Sequence, residues 1–199
     1  MNKVLKTYEL QINEDPNSQF EVDYVALVDA PAIEKNFLKF NQNVNKLHFA
    51  AINEDRQIIS GAAMLANTPI YRIDEQTGEE YNIVFKPKTI EQIAMKFFEK
   101  GFNQNFNLMH DPAQILKNVT IFESFINDES RGIKPMAGFE DAPQGSWFIS
   151  AKVNDAATWA KIKSGEVKGF SVEGCFAYKK SEMTLEEKMA QIEAILNAE

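Results

Sequence analysis

Apolar and polar positions alternate with a two-residue period over much of the first half of this chain. Thr7-Tyr8-Glu9-Leu10-Gln11-Ile12 alternates, and residues 20–28 are rich in β-branched and aromatic side chains, so both segments predict strands. Pro31 closes the second run. The β pattern continues through residues 46–52, 57–65 and 69–73. The turn-forming run Asp74-Glu75-Gln76-Thr77-Gly78 then predicts a hairpin between Ile70–Ile73 and residues 81–85.

From residue 89 the period turns helical. Thr89 and Gln92 form a capping-box pattern, Ile90, Ile93, Ala94, Phe97 and Phe98 share one face, and Gly101 is placed to end the helix. Strand signals resume at residues 105–110 and 119–126, followed by a polar loop over 127–145 that contains Gly and Pro. Residues 146–153 predict a strand, and Asp155 caps a short helix carrying Trp159 and Ile162 that stops at Gly165. A last strand spans 169–178. Thr184 and Glu187 open a final helix with Leu185, Met189, Ile192 and Leu196 on one stripe. The pattern predicts an α+β, mainly β domain over residues 1–180, with a C-terminal amphipathic helix over 181–199.

Composition narrows the classes. The 199 residues are 44% hydrophobic and 25% charged, which suits a folded domain, and 15 Phe suit a β-rich core. A net charge of −8 without a basic stripe argues against nucleic-acid binding. The single Cys175 allows no internal disulfide and fits a reducing compartment. No apolar run reaches the roughly 20 residues of a membrane span, and the first residues lack a signal-peptide core, so a soluble cytoplasmic protein is expected.

Only two histidines exist. His48 sits mid-strand and reads as structural, whereas His110 falls at the end of a strand, where an imidazole can reach a cleft. Ser171 lies in Gly169-Phe170-Ser171-Val172-Glu173-Gly174, on the strand face it shares with Glu173 and Cys175. A serine hydroxyl needs an adjacent base to become a nucleophile, so any role for Ser171 depends on His110 being close. Rival chemistries lack their parts. The Gly-x-Ser-x-Gly elbow is not met, both histidines precede the serine, and one Cys with two distant His makes no metal set. Phosphate-loop and dinucleotide glycine patterns are missing too, so no cofactor or metal is expected. Cys175 as a nucleophile with His110 is the cysteine alternative; a small buried thiol is the bland one.

Several blocks together resemble the prohead serine protease family of tailed phages, in its branch of phage serine proteases. They are Val25-Ala26-Leu27-Val28-Asp29-Ala30-Pro31-Ala32, Ile58-Ile59-Ser60-Gly61 leading to Pro69-Ile70-Tyr71-Arg72, Asn107-Leu108-Met109-His110-Asp111, and Ile121-Phe122-Glu123-Ser124-Phe125-Ile126. Gly145-Ser146-Trp147-Phe148, Trp159 to Gly165, and Gly169 to Gly174 complete the series. The resemblance implies a closed or partly open β-barrel flanked by helices, similar to the herpesvirus assembly protease. It implies a serine endopeptidase acting on scaffold protein or the scaffold-like segment of the major capsid protein, in the host cytoplasm inside the prohead. Oligomeric state is left open. The family histidine maps to His110 and the family serine to Ser171. Met109 departs from the acidic residue that members often carry there.

The expected third catalytic residue is Glu123, which follows His110 closely enough in sequence for a turn to pair their strands and bring its carboxylate to the imidazole. Asp111 and Glu173 compete, although Glu173 lies about 7 Å along the strand from Ser171. The alternative from another class is an inactive capsid assembly or scaffold protein that keeps the fold; a generic esterase is a third.

Overall fold

The computed structural model describes residues 5–13, 15, 19–29, 49, 51–53, 56–74 and 76–180. His48, residues 46–48 and 50 of the strand expected over 46–52, and the C-terminal helix expected over 181–199 lie outside the described residues. Within them the chain is mainly β, as its alternation predicts, and forms three four-stranded sheets.

The first sheet runs β12-β1-β6-β5, built from β1 (Lys6–Gln11), β5 (Ile70–Ile73), β6 (Glu80–Val84) and β12 (Ala177–Lys180). Its β5–β6 pair is the expected hairpin, and the Asp74 carboxylate accepts the Gln76 and Thr77 N–H groups to close the turn. The second sheet runs β3-β4-β10-β9, from β3 (Ala51–Asn53), β4 (Ile58–Met64), β9 (Val119–Ile126) and β10 (Trp147–Val153). The third runs β11-β2-β7-β8, from β2 (Val22–Val28), β7 (Phe106–Leu108), β8 (Asp111–Leu116) and β11 (Gly169–Gly174).

Helix α1 (Pro87–Glu99) starts two residues before the expected Thr89 cap, because Pro87 supplies the preset φ of a first helical residue. It buries Ile90, Ile93, Ala94 and Phe97 against the core, while Phe98 is part exposed. Helix α2 (Ala156–Lys163) begins as expected, with the Asp155 side chain accepting the Thr158 N–H at 2.7 Å. Trp147, Phe97, Phe106, Phe148, Leu27 and Ile59 are almost wholly buried and centre one core shared by the sheets.

Of the closed or partly open barrel expected, the closed form is not found: the ladders among the described residues leave each sheet with two edge strands. Two expected strands need correction. The expected strand over 169–178 is two strands in different sheets. Gly174 is the joint: a Cβ there would sit 2.0 Å from the Glu21 carbonyl oxygen, so only glycine lets the chain press against that backbone and change sheets. The expected strand over 105–110 ends at Leu108, and β8 follows after a two-residue turn. Pro112 is tolerated in β8 because β8 is an edge strand, and its exposed residues left no alternation to read.

Candidate active site

The third sheet places the candidate side chains. Ser171 pairs with Ala26 on β2, and Ala26 pairs with Asn107 on β7, so the three lie side by side on one face. Directly paired residues share a face, and two steps along β11 Glu173 returns to it. Ala26 bears only a methyl group and is fully buried. Side chains from β11 and β7 can therefore meet above β2.

His110 reaches this face from the β7–β8 turn. Met109 and His110 are its two central residues, at φ 55° and 59°. Positive φ at both is the signature of a type I′ hairpin, usually filled by Asn-Gly. Two ordinary L-residues here store strain, the kind of backbone feature that concentrates at functional sites. The turn is pinned to β2: the Met109 N–H donates to the Leu27 carbonyl at 3.0 Å, and the Met109 sulfur accepts the Asp29 N–H at 3.3 Å.

The pinned turn lays the imidazole along β11. His110 Nε2 is 3.0 Å from Ser171 Oγ, and His110 Nδ1 is 3.3 Å from Glu173 Oε2. Ser171 is only 8% exposed, while the His110 and Glu173 side chains are 41% and 37% exposed. An ionised carboxylate can only accept, so Glu173 holds the proton on Nδ1 and leaves Nε2 free to accept from the serine hydroxyl. The same Glu173 oxygen accepts from Asn107 Nδ2 at 2.6 Å. Asn107 is 1% exposed, and its Oδ1 is buried without a hydrogen-bond donor among the described residues. An orphaned buried acceptor costs about 1–3 kcal/mol, a cost tolerated here beside a carboxylate that needs a fixed position.

Of the three residues expected to act together, the structure brings together Ser171 and His110 but not Glu123. β9 pairs with β10 in the second sheet, opposite Ser150, whose hydroxyl donates to the Glu123 carboxylate. The segment between His110 and Glu123 is filled by β8, so no turn pairs their strands. Asp111 is spent within its own turn, accepting from Gln114 Nε2 and the Ala113 N–H, and these bonds hold its carboxyl below the usual range. Glu173 takes the place beside the imidazole, since the ring itself spans the gap from Ser171 along the strand. Cys175 is exposed rather than buried.

Burial pushes the carboxyl of Asp23 above the ordinary range, and the negative charges of Glu173 and Glu21 add to the shift. Beside Ser171 a cavity of about 240 Å³ opens between β11, β4 and the first sheet.

Residues 51–179 match the model of the family described as "Putative phage serine protease XkdF". The chain belongs to that family. No curated protein and no solved structure matches it. The span matched to the phage serine protease family contains His110, Ser171, Glu173 and Asn107 but not β2, on which the site is assembled. Asn107 stands in the sequence only as part of a family block, with no role of its own, because an asparagine in a strand looks like polar filler. Its placement opposite Ala26 becomes visible only once β7 is known to run parallel to β2.

Proposed function

We propose that this chain is a serine endopeptidase of prohead maturation, cutting scaffold protein or the scaffold-like segment of the major capsid protein inside the immature shell. The observation that carries the reading is the line Ser171–His110–Glu173, with an imidazole nitrogen 3.0 Å from the hydroxyl and the other facing a carboxylate. Membership in a phage serine protease family supports it, and the capsid-protein substrates follow from the prohead resemblance of the sequence blocks.

In this mechanism His110 Nε2 removes the Ser171 proton as Oγ attacks the peptide carbonyl. The ring becomes cationic, and the Glu173 carboxylate stabilises it through Nδ1–H. His110 then returns the proton to the leaving amine, the C–N bond breaks, and water hydrolyses the acyl-serine by the reverse proton path. Asn107 is a positioning residue that fixes the carboxylate.

The test is co-expression of the chain with its scaffold and capsid proteins, as wild type, Ser171→Ala and His110→Ala. Each variant should lose processing by roughly 10³-fold or more. A small fluorophosphonate should label wild type and not Ser171→Ala. Equal processing by all three proteins, or absent labelling of wild type, overturns the reading and leaves an inactive assembly protein.

A further inference from the structure

Among the described residues lining the cavity beside Ser171, Arg72 is the one cationic side chain. It stands on β5 opposite Tyr81, on the face of the first sheet that also turns Ile70 and Ile83 toward the cavity. Leu10, Met64, Phe85 and Phe176 make the other walls largely apolar.

The guanidinium is half-buried, and Nη1 donates to the Tyr71 carbonyl at 2.9 Å. Burial lowers its pKa, and Tyr178 and Tyr81 act against that. Among the described residues no carboxylate forms an ion pair with it. Glu173, the one acid among the described residues lining the same cavity, is engaged with His110 and Asn107. Arginine does not escape such a setting by losing its proton, and a partly desolvated cation without a counter-charge is unfavourable. Its remaining N–H donors form a planar fork that matches a carboxylate.

We propose that Arg72 receives an acidic side chain of the substrate, so that Ser171 cleaves after glutamate or aspartate. The inference rests on Ser171 being the nucleophile and adds the class of residue it acts beside. The apolar walls hold the side chain's methylenes, and the fork at Arg72 holds its carboxylate. An amide or ammonium head group in the same position leaves the fork unmatched or repelled.

Diphenyl phosphonates of an alanine tripeptide test this on the full chain. The side chain next to phosphorus is that of Glu, Gln or Lys; reaction forms an Oγ–P bond at Ser171 and releases phenol. The Glu probe should label wild type at least about tenfold faster than the Gln probe, the discrimination expected of hydrogen bonds to a charged group, with the Lys probe slower still. In Arg72→Gln and Arg72→Met the Glu-to-Gln ratio should fall to about one. The ratio is read within each protein, so reduced stability of a variant does not mimic the effect, and the wild-type ratio is a test without any variant. Equal Glu and Gln rates in wild type, or an unchanged ratio in both variants, overturn the subsite. An uncharged fluorophosphonate separates the failures: if it labels Ser171 while the Glu preference is missing, only the subsite falls; if it labels nothing, the nucleophile falls as well.

Discussion

Glu173→Gln is the sharpest probe of the proton path, because both contacts of the carboxylate fall on one oxygen. Oε2 accepts from Asn107 at 2.6 Å and from His110 at 3.3 Å. A glutamine can keep both bonds only with its amide oxygen in that position, and the Asn107 N–H enforces this by rejecting a facing NH₂ group. The His110 tautomer then survives, and only the charge is lost. Hydrogen bonds to charged groups contribute about 1.5–3 kcal/mol and neutral ones about 0.5–1.5, so the loss is about 1–1.5 kcal/mol, roughly tenfold in rate. Asn107→Ala alone leaves an acceptor-only carboxylate beside the ring and should cost about tenfold or less.

The double variant differs. With Asn107 gone, the amide introduced by Glu173→Gln is free to turn its NH₂ toward Nδ1, which moves the ring proton to Nε2 and aims it at Ser171. A wrong tautomer is a loss of about 10⁴ in serine protease triads, far beyond the product of the two single effects. The assay is the second-order rate of fluorophosphonate labelling of Ser171 for wild type, both single variants and the double, read as a cycle. A double loss equal to the product of the singles, or a 10⁴-fold loss in Glu173→Gln alone, refutes the role given to Asn107.

Two further outcomes concern the frame around the site. Gly174→Ala places a methyl against the Glu21 carbonyl and Val22 Cα, and it strains the Cys175 N–H bond to Glu21. Overpacking against backbone should destabilise by about 1–3 kcal/mol, read from the urea midpoint; an unchanged midpoint would show that the β11–β12 joint tolerates a side chain. Asp155→Ala removes the α2 cap and should cost about 1 kcal/mol at neutral pH. The Thr158 hydrogen bonds hold the Asp155 carboxyl below its ordinary value, so its contribution is complete above about pH 4 and lost as pH falls through the lowered folded value. Thermal melts of both proteins should therefore converge in acid, and a gap that persists there contradicts the charge-based cap.

Much of this was legible where one local rule dominated. The Asp155 cap, the β5–β6 hairpin and the apolar stripe of α1 are set by neighbours in sequence, and pattern reading recovers such features. The sequence marks Ser171 and His110 as a hydroxyl and an imidazole that have to meet, and the structure brings them within 3.0 Å. Glu173 rather than Glu123 faces the imidazole, for a geometric reason. Strand spacing alone sets Glu173 too far from Ser171 to bond it, and so it does, but an imidazole arriving from β7–β8 bridges the interval. That arrival depends on β8 taking the chain back along β7, and β8 is an exposed edge with a proline in it, the kind of strand that carries no alternating signal. Glu123 sits in a strand of stronger pattern, yet register commits it to Ser150. Pattern strength reports burial, and the geometry of the candidate site follows pairing.

Pairing also explains why the site needs β2, a strand outside the family span. Val25, Ala26 and Leu27 are fully buried, and among the described residues β2 is the one strand that β11 and β7 share as a neighbour. Through it the register of Ser171 is locked to that of Asn107, while the Leu27 carbonyl holds the turn bearing His110. A one-residue slip of β11 on β2 would turn Ser171 and Glu173 to the opposite face together, abolishing the hydroxyl–imidazole and imidazole–carboxylate contacts in one step. Gly174 guards against that slip, because its close approach to Glu21 fits only one register. The first sheet, by contrast, contributes no member of the Ser–His–Glu line and meets it only as the wall holding Arg72. Substitutions on that wall should therefore alter the cavity without moving the Ser171–His110–Glu173 line, whereas a change of register along β2 displaces Ser171 and Glu173 together.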